Sequence, residues 1–157
     1  MEIQAKEDNG SITALDIQSM KMIRSGLKIL QKMSRQSQFE IPFSVDGQWN
    51  VIHLSVIEGG DLRGHIEANV HTEQYGTIST SLQWQNASGW QGTYQADSGA
   101  GLAMLAGNGA ALERGFEDIA RDHRHNPADP EDLPDNAELY DISKQLVILI
   151  KHVVRNA

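Results

Sequence analysis

His123 and His125, beside Asp122, Asp129, Glu131 and Asp132, form the cluster in this sequence whose residue types most resemble metal ligands. Zinc sites combine such donors at regular spacings, usually a helical turn apart or reinforced by Cys pairs. Here the histidines are two residues apart in a proline-broken stretch, and the chain has no Cys. Solvated connector residues are therefore the expectation, with metal coordination the sharper alternative. A second group, His65, Glu67 and His71, recurs at even spacing. In a strand this puts all three on one face, and the intervening apolar residues turn that face toward water.

Nucleophilic chemistry has equally little support. Asp97-Ser98-Gly99-Ala100-Gly101 opens a helical pattern after a strand but lacks the Gly-x-Ser-x-Gly elbow of hydrolases. Its glycines could offer backbone N–H groups to an anion. The stretch nevertheless lacks a Walker lysine and the full Gly-x-Gly-x-x-Gly of dinucleotide sites. The expectation is a protein that is not an enzyme, with no catalytic residues, no metal and no cofactor.

The elements that hold these residues follow from hydrophobic periodicity. Residues 1–12 read as a flexible N-terminus. In 13–38, Ile17, Met20, Ile23, Leu27 and Leu30 recur at three and four residues, with Lys21, Arg24, Lys28, Lys32 and Arg35 alongside. This predicts an amphipathic basic helix. At Phe39 the period shifts to two. Asp46-Gly47 marks a hairpin, and the run Trp49 to Ile57 is apolar on both phases, as in a strand covered on both faces. Three alternating strands follow, carrying Ile66, Ala68 and Val70, then Ile78, Thr80, Leu82 and Trp84, then Trp90, Tyr94 and Ala96. Their opposite phase, Thr77, Ser79, Ser81, Gln83, Gln91, Thr93 and Gln95, is polar and uncharged, a surface able to accept a partner strand.

Helical spacing returns at Ser98, with Leu102, Leu105, Leu112, Phe116 and Ile119 on one stripe. Each glycine in a helix interior costs about 1 kcal/mol relative to Ala, which predicts a break at Gly107-Asn108-Gly109. Residues 39–120 form the sheet-plus-helix core, and 121–135, with three of the four prolines, the connector. Asp135 then caps a last helix, 136–157, with Glu138 in capping-box position. Its stripe of Leu139, Ile142, Leu146, Ile150 and Val153 is widened by Tyr140, Val147, Ile148 and Val154, so the helix is either sandwiched in the core or half of a homodimer interface. The fold class is α+β: a mostly antiparallel sheet of about five strands, one face covered by helices, flanked by N- and C-terminal helices.

Net charge is −8, distributed as +2 over residues 1–38, −6 over 39–112 and −4 over 113–157. Nucleic-acid binding needs a basic face on the folded body, so no nucleic-acid partner is expected. No apolar run approaches the ~20 residues of a membrane span, and none is expected to insert in a membrane. A cytoplasmic location is expected.

The stretch Ile66–Ile119 resembles the C-terminal domain of flagellar hook-length control proteins, the substrate-specificity switch family of type III secretion. In that family a strand ends in Leu-x-Pro-x-x-Leu-Gly, and Val70, Thr72, Tyr75 and Gly76 fall on those positions, Thr72 standing for Pro and Tyr75 for Leu. Ile78, Thr80 and Leu82 match the next strand; Trp90, Gly92 and Tyr94 the hairpin return; Leu102, Leu105 and Leu112 the helix. The resemblance implies a bacterial protein-interaction domain whose partner is the export gate's switch protein, with Thr72, Gln74, Tyr75 and Gly76 as partner-binding residues. It also implies a chain able to pass unfolded through the flagellar or type III channel, which suits the absence of Cys. The alternative is a generic adaptor or chaperone-like, self-associating module. A small metal-dependent hydrolase built on His123/His125 or His65/His71 ranks third.

Overall fold

The computed structural model describes residues 21–25, 36–57, 64–85 and 88–156. Five strands, β1 (Gln36–Val45), β2 (Gln48–Ile57), β3 (His65–Thr72), β4 (Gly76–Gln85) and β5 (Gly89–Ala96), form one sheet in sequence order. Every neighbouring pair is antiparallel. Two helices follow, α2 (Gly99–Asp122) and α3 (Asn136–Arg155), and residues 21–25 are helical and are designated α1. The α+β class with helices flanking an antiparallel sheet is thus present. Residues 13–20 and 26–35 of the expected basic helix, and the segment 1–12, lie outside the described residues.

Register brings one phase of every strand to a single face. Phe39 pairs with Leu54, Leu54 with Ala68, Ala68 with Thr80, and Thr80 with Tyr94. Helices cover this face: α3 packs on β1, β2 and β3, and α2 on β4 and β5. Leu139, Ile142, Leu146 and Ile150 of α3 are fully buried in the core with Ile41, Ile52, Ile66 and Ile78 of the sheet. Ile23 of α1 is buried too, and the Arg24 guanidinium lies 5.9 Å from the centre of the Tyr140 ring. The described part of the basic helix therefore reaches α3 by a cation–π contact, while Ile23 joins the core.

Four expectations need correction. The strand pattern begins at Gln36, three residues before the shift read at Phe39. β2 is covered on one face only: His53 is exposed, and Val51, Ser55 and Ile57 remain half-buried on the open face. Helix α2 runs without a break through Gly107-Asn108-Gly109. Close packing explains some of these glycines: a Cβ on Gly92 of β5 would lie 2.2 Å from the Phe116 ring, and one on Gly109 would press on the Tyr94 hydroxyl at 3.0 Å. The close approach buries the α2 stripe and offsets the intrinsic cost of the glycines.

The fourth concerns Leu102, which is 57% exposed and not part of the buried stripe. Gly101 takes the inward position in the first turn, where a Cβ would sit 2.6 Å from the Tyr75 carbonyl oxygen and 2.8 Å from Ala96. One residue on, Leu102 is rotated about 100° away from that contact.

Candidate functional site

Antiparallel order collects the β1–β2 hairpin, the β3–β4 turn and the start of α2 at one end of the sheet. The four residues singled out from the sequence, Thr72, Gln74, Tyr75 and Gly76, are all here, and the turn they form is tied to α2. Thr72 Oγ1 accepts from the Tyr75 N–H at 2.8 Å and donates to the Gly76 carbonyl at 3.1 Å. Ser98, the N-cap of α2, accepts from the Gly101 N–H at 2.9 Å and donates to the Tyr75 carbonyl at 2.7 Å. Asp97 Oδ1 accepts from the Thr77 N–H at 2.9 Å. Gly76 has φ +70°, the left-handed region that a β-carbon disfavours.

The four residues accordingly play different parts. Thr72 is buried and its hydroxyl is spent on closing the turn. Gly76 supplies the backbone conformation. Gln74 is exposed, and Tyr75 is half-buried against the core, so of the four these two leave side-chain surface open. The same end carries two of the most exposed large hydrophobics among the described residues, Trp49 on β2 (54%) and Leu102 on α2 (57%). Trp49 was read from the sequence as a covered strand residue and Leu102 as core, so neither was assigned to a surface.

A second constellation lies at the opposite end, where α2 hands over to α3. His125 is enclosed, its side chain 8% exposed. Its Nδ1 lies 2.8 Å from Asp132 Oδ1 and its Nε2 lies 2.7 Å from both Glu138 oxygens. Trp90 Nε1 donates to Glu138 Oε2 at 2.8 Å, and the His125 ring meets Trp84 edge-on, with centroids 4.6 Å apart. His123 Nε2 lies 2.8 Å from Asp141 Oδ2, which also accepts from Gln145 at 2.8 Å. The connector histidines are therefore not solvated, which corrects the expectation. Glu138, read as the return half of a capping box, is turned instead to His125 and Trp90, while Asp135 caps α3 by accepting from the Glu138 N–H at 2.9 Å.

A ring with a carboxylate at each nitrogen can satisfy both only as an imidazolium. Burial opposes that charge. Hydrogen bonds to Glu138 and then to Asp132 outweigh it, and the His125 pKa lies above its ordinary 6.5. Asp132 is held below its ordinary 3.8, chiefly by the Asn126 N–H it accepts and then by His125. The raised pKa favours the protonated ring between the two acids. Consistent with this, no group of three or more His, Cys, Asp or Glu among the described residues could hold a metal ion. Depressions of about 500 and 350 Å3 flank the connector, and both are lined by Trp84 and Pro127.

The third sequence group, His65, Glu67 and His71, lies in a row on the open face of β3, with His71 Nδ1 3.0 Å from Thr77 Oγ1. That contact sets His71 beside the β3–β4 turn, while the group reaches no part of the His125 cluster. Signals for the buried cluster were thin, because Trp84, Trp90 and Glu138 are distant in sequence from the histidine they surround. No family model matches this chain, and no curated protein or solved structure shows a significant similarity to it.

Proposed function

We propose that this chain is a non-enzymatic protein-interaction domain of the hook-length-control kind, engaging the cytoplasmic part of an export gate's switch protein through the sheet end that carries Gln74 and Tyr75. The observation that carries the reading is an exposed Gln74 and a half-buried Tyr75 on a turn fastened to α2, with Leu102 exposed in the first turn of that helix and Trp49 exposed on the open face of β2 at the same end. Large side chains left exposed on a rigid support are the usual make-up of a binding surface, because little ordering entropy is lost when a partner covers them. Thr72 and Gly76 act through the shape of the turn, and Gln74 and Tyr75 through contact.

A pull-down and titration with the export gate's cytoplasmic domain tests the proposal. Binding by the wild type is expected, weakened about tenfold or more by Tyr75→Ala, as for a central aromatic contact. No binding by the wild type, or equal binding by Tyr75→Ala, would refute the assignment. A generic adaptor remains the second reading, favoured by the exposure of Leu102 with no gate-specific feature beside it; it predicts capture of other partners through the same residues.

A further inference from the structure

From Gln74 to Leu112 the sequence holds one acid, Asp97, and no base, in a chain that is 22% charged overall. Asp97 is engaged internally, accepting the Thr77 N–H. This uncharged stretch folds into β4, β5 and the first half of α2, so it occupies one side of the molecule. That side ends in an edge: among the described residues, β5 has β4 as its only strand neighbour. Gln91, Thr93 and Gln95 are exposed along it.

The two edges of the sheet differ in a way that bears on association. Natural sheets protect their edges with charges and prolines. β1 carries both, Glu40 and Pro42, each exposed. Over its eight residues, Gly89 to Ala96, β5 carries neither.

We propose that β5 is the strand through which two copies of this chain associate, edge to edge and antiparallel, making one continuous sheet. Antiparallel pairing of a strand with itself about a two-fold axis is self-complementary, since wherever residue i of one copy faces residue j of the other, j of the first faces i of the second. Charge selects a second copy as the occupant. Two molecules of net charge −8 repel wherever their acidic surfaces face each other. They repel least where neither carries charge, and β5 is the edge that meets this condition. A strongly basic or acidic partner would gain nothing from a neutral strand. The C-terminal helix, the sequence-based candidate for a dimer, turns its widest apolar stripe inward, and Ile148 and Leu149 line a groove of about 350 Å3 beside Gly115 of α2.

Sedimentation of the full chain over a wide concentration range tests this. A reversible dimer is expected. Thr93→Lys/Gln95→Lys and Glu40→Lys each change the net charge by the same amount, to −6 from −8. Only the β5 pair places like charges across the proposed two-fold, so it should weaken the dimer about tenfold or more, with Glu40→Lys unchanged or slightly tighter. Should the double variant lose the wild-type melting transition, Gln91→Lys alone carries the comparison. A strict monomer would overturn the proposal. So would a dimer that survives the β5 substitutions, one weakened equally by Glu40→Lys, or one abolished only by Leu149→Glu, which would place the interface between α2 and α3. None of these outcomes depends on Tyr75 or on an export-gate partner.

Discussion

His125 combines several interactions in one side chain. Protonated, it ties Asp132 of the connector and Glu138 of α3 together and holds its ring edge against Trp84. Its pKa is raised in the folded chain, so its contribution is fully present below the unfolded value of 6.5 and is lost as pH rises through the folded value. Thermal melting of the wild type should therefore fall on going from pH 6 to pH 9. In His125→Gln that fall should shrink, and at pH 6 the variant should be less stable by about 3 kcal/mol, the cost of removing one member of an enclosed ion pair. Equal pH profiles for the two proteins would exclude a protonated His125 tie between Asp132 and Glu138. The sequence shows the His-x-His pair and its acids plainly. It does not show which acid meets which nitrogen, because Glu138 reaches His125 only when the chain between them folds back, and Trp84 comes from the sheet.

Elements were more legible than their contacts. Alternating apolar residues disclose the strands, since a polar residue on the inner phase would lose water without a partner, and Asp46-Gly47 and Gly76 mark turns where φ is positive. Ser98 and Asp135 announce the two long helices through the N–H groups they accept. Continuity of α2 was hidden, because propensity counts glycines as a cost and says nothing of what approaches them. Gly92 of β5 is the sharpest case. A methyl group there would overlap the Phe116 ring, so Gly92→Ala should force α2 off the sheet and destabilise the protein by about 1–3 kcal/mol, the range for overpacked cores. Urea unfolding measures it. Gly107→Ala makes the contrast: a Cβ there meets nothing within 4 Å, and the substitution should stabilise by up to about 1 kcal/mol. If Gly107→Ala destabilises as much as Gly92→Ala, α2 does not lie on β5 as described.

At the scale of the molecule, the sheet is a meander whose strands pair with their neighbours in sequence, so its connections are short and its order is the simplest available. A meander buries nothing by itself, and its inner face needs a cover. α2 covers β4 and β5. The central cover comes from the twenty residues of α3, which packs on β1, β2 and β3 with Leu139, Ile142, Leu146 and Ile150 fully buried. Arg155 at its far end donates to the Ser44 carbonyl at 3.2 Å, and Glu138 at its near end reaches Trp90, so α3 fastens β1 to β5. Folding must then wait for the C-terminus. A chain ending at Asp135 should show no cooperative thermal transition and should bind a hydrophobic dye through the uncovered face. In the full chain, Leu146→Ala should cost about 2–5 kcal/mol as a buried large-to-small change while retaining a cooperative transition. A truncated chain that still melted cooperatively would mean that α2 and the sheet hold a core of their own, and α3 would then be an attached layer instead of the element that completes the fold.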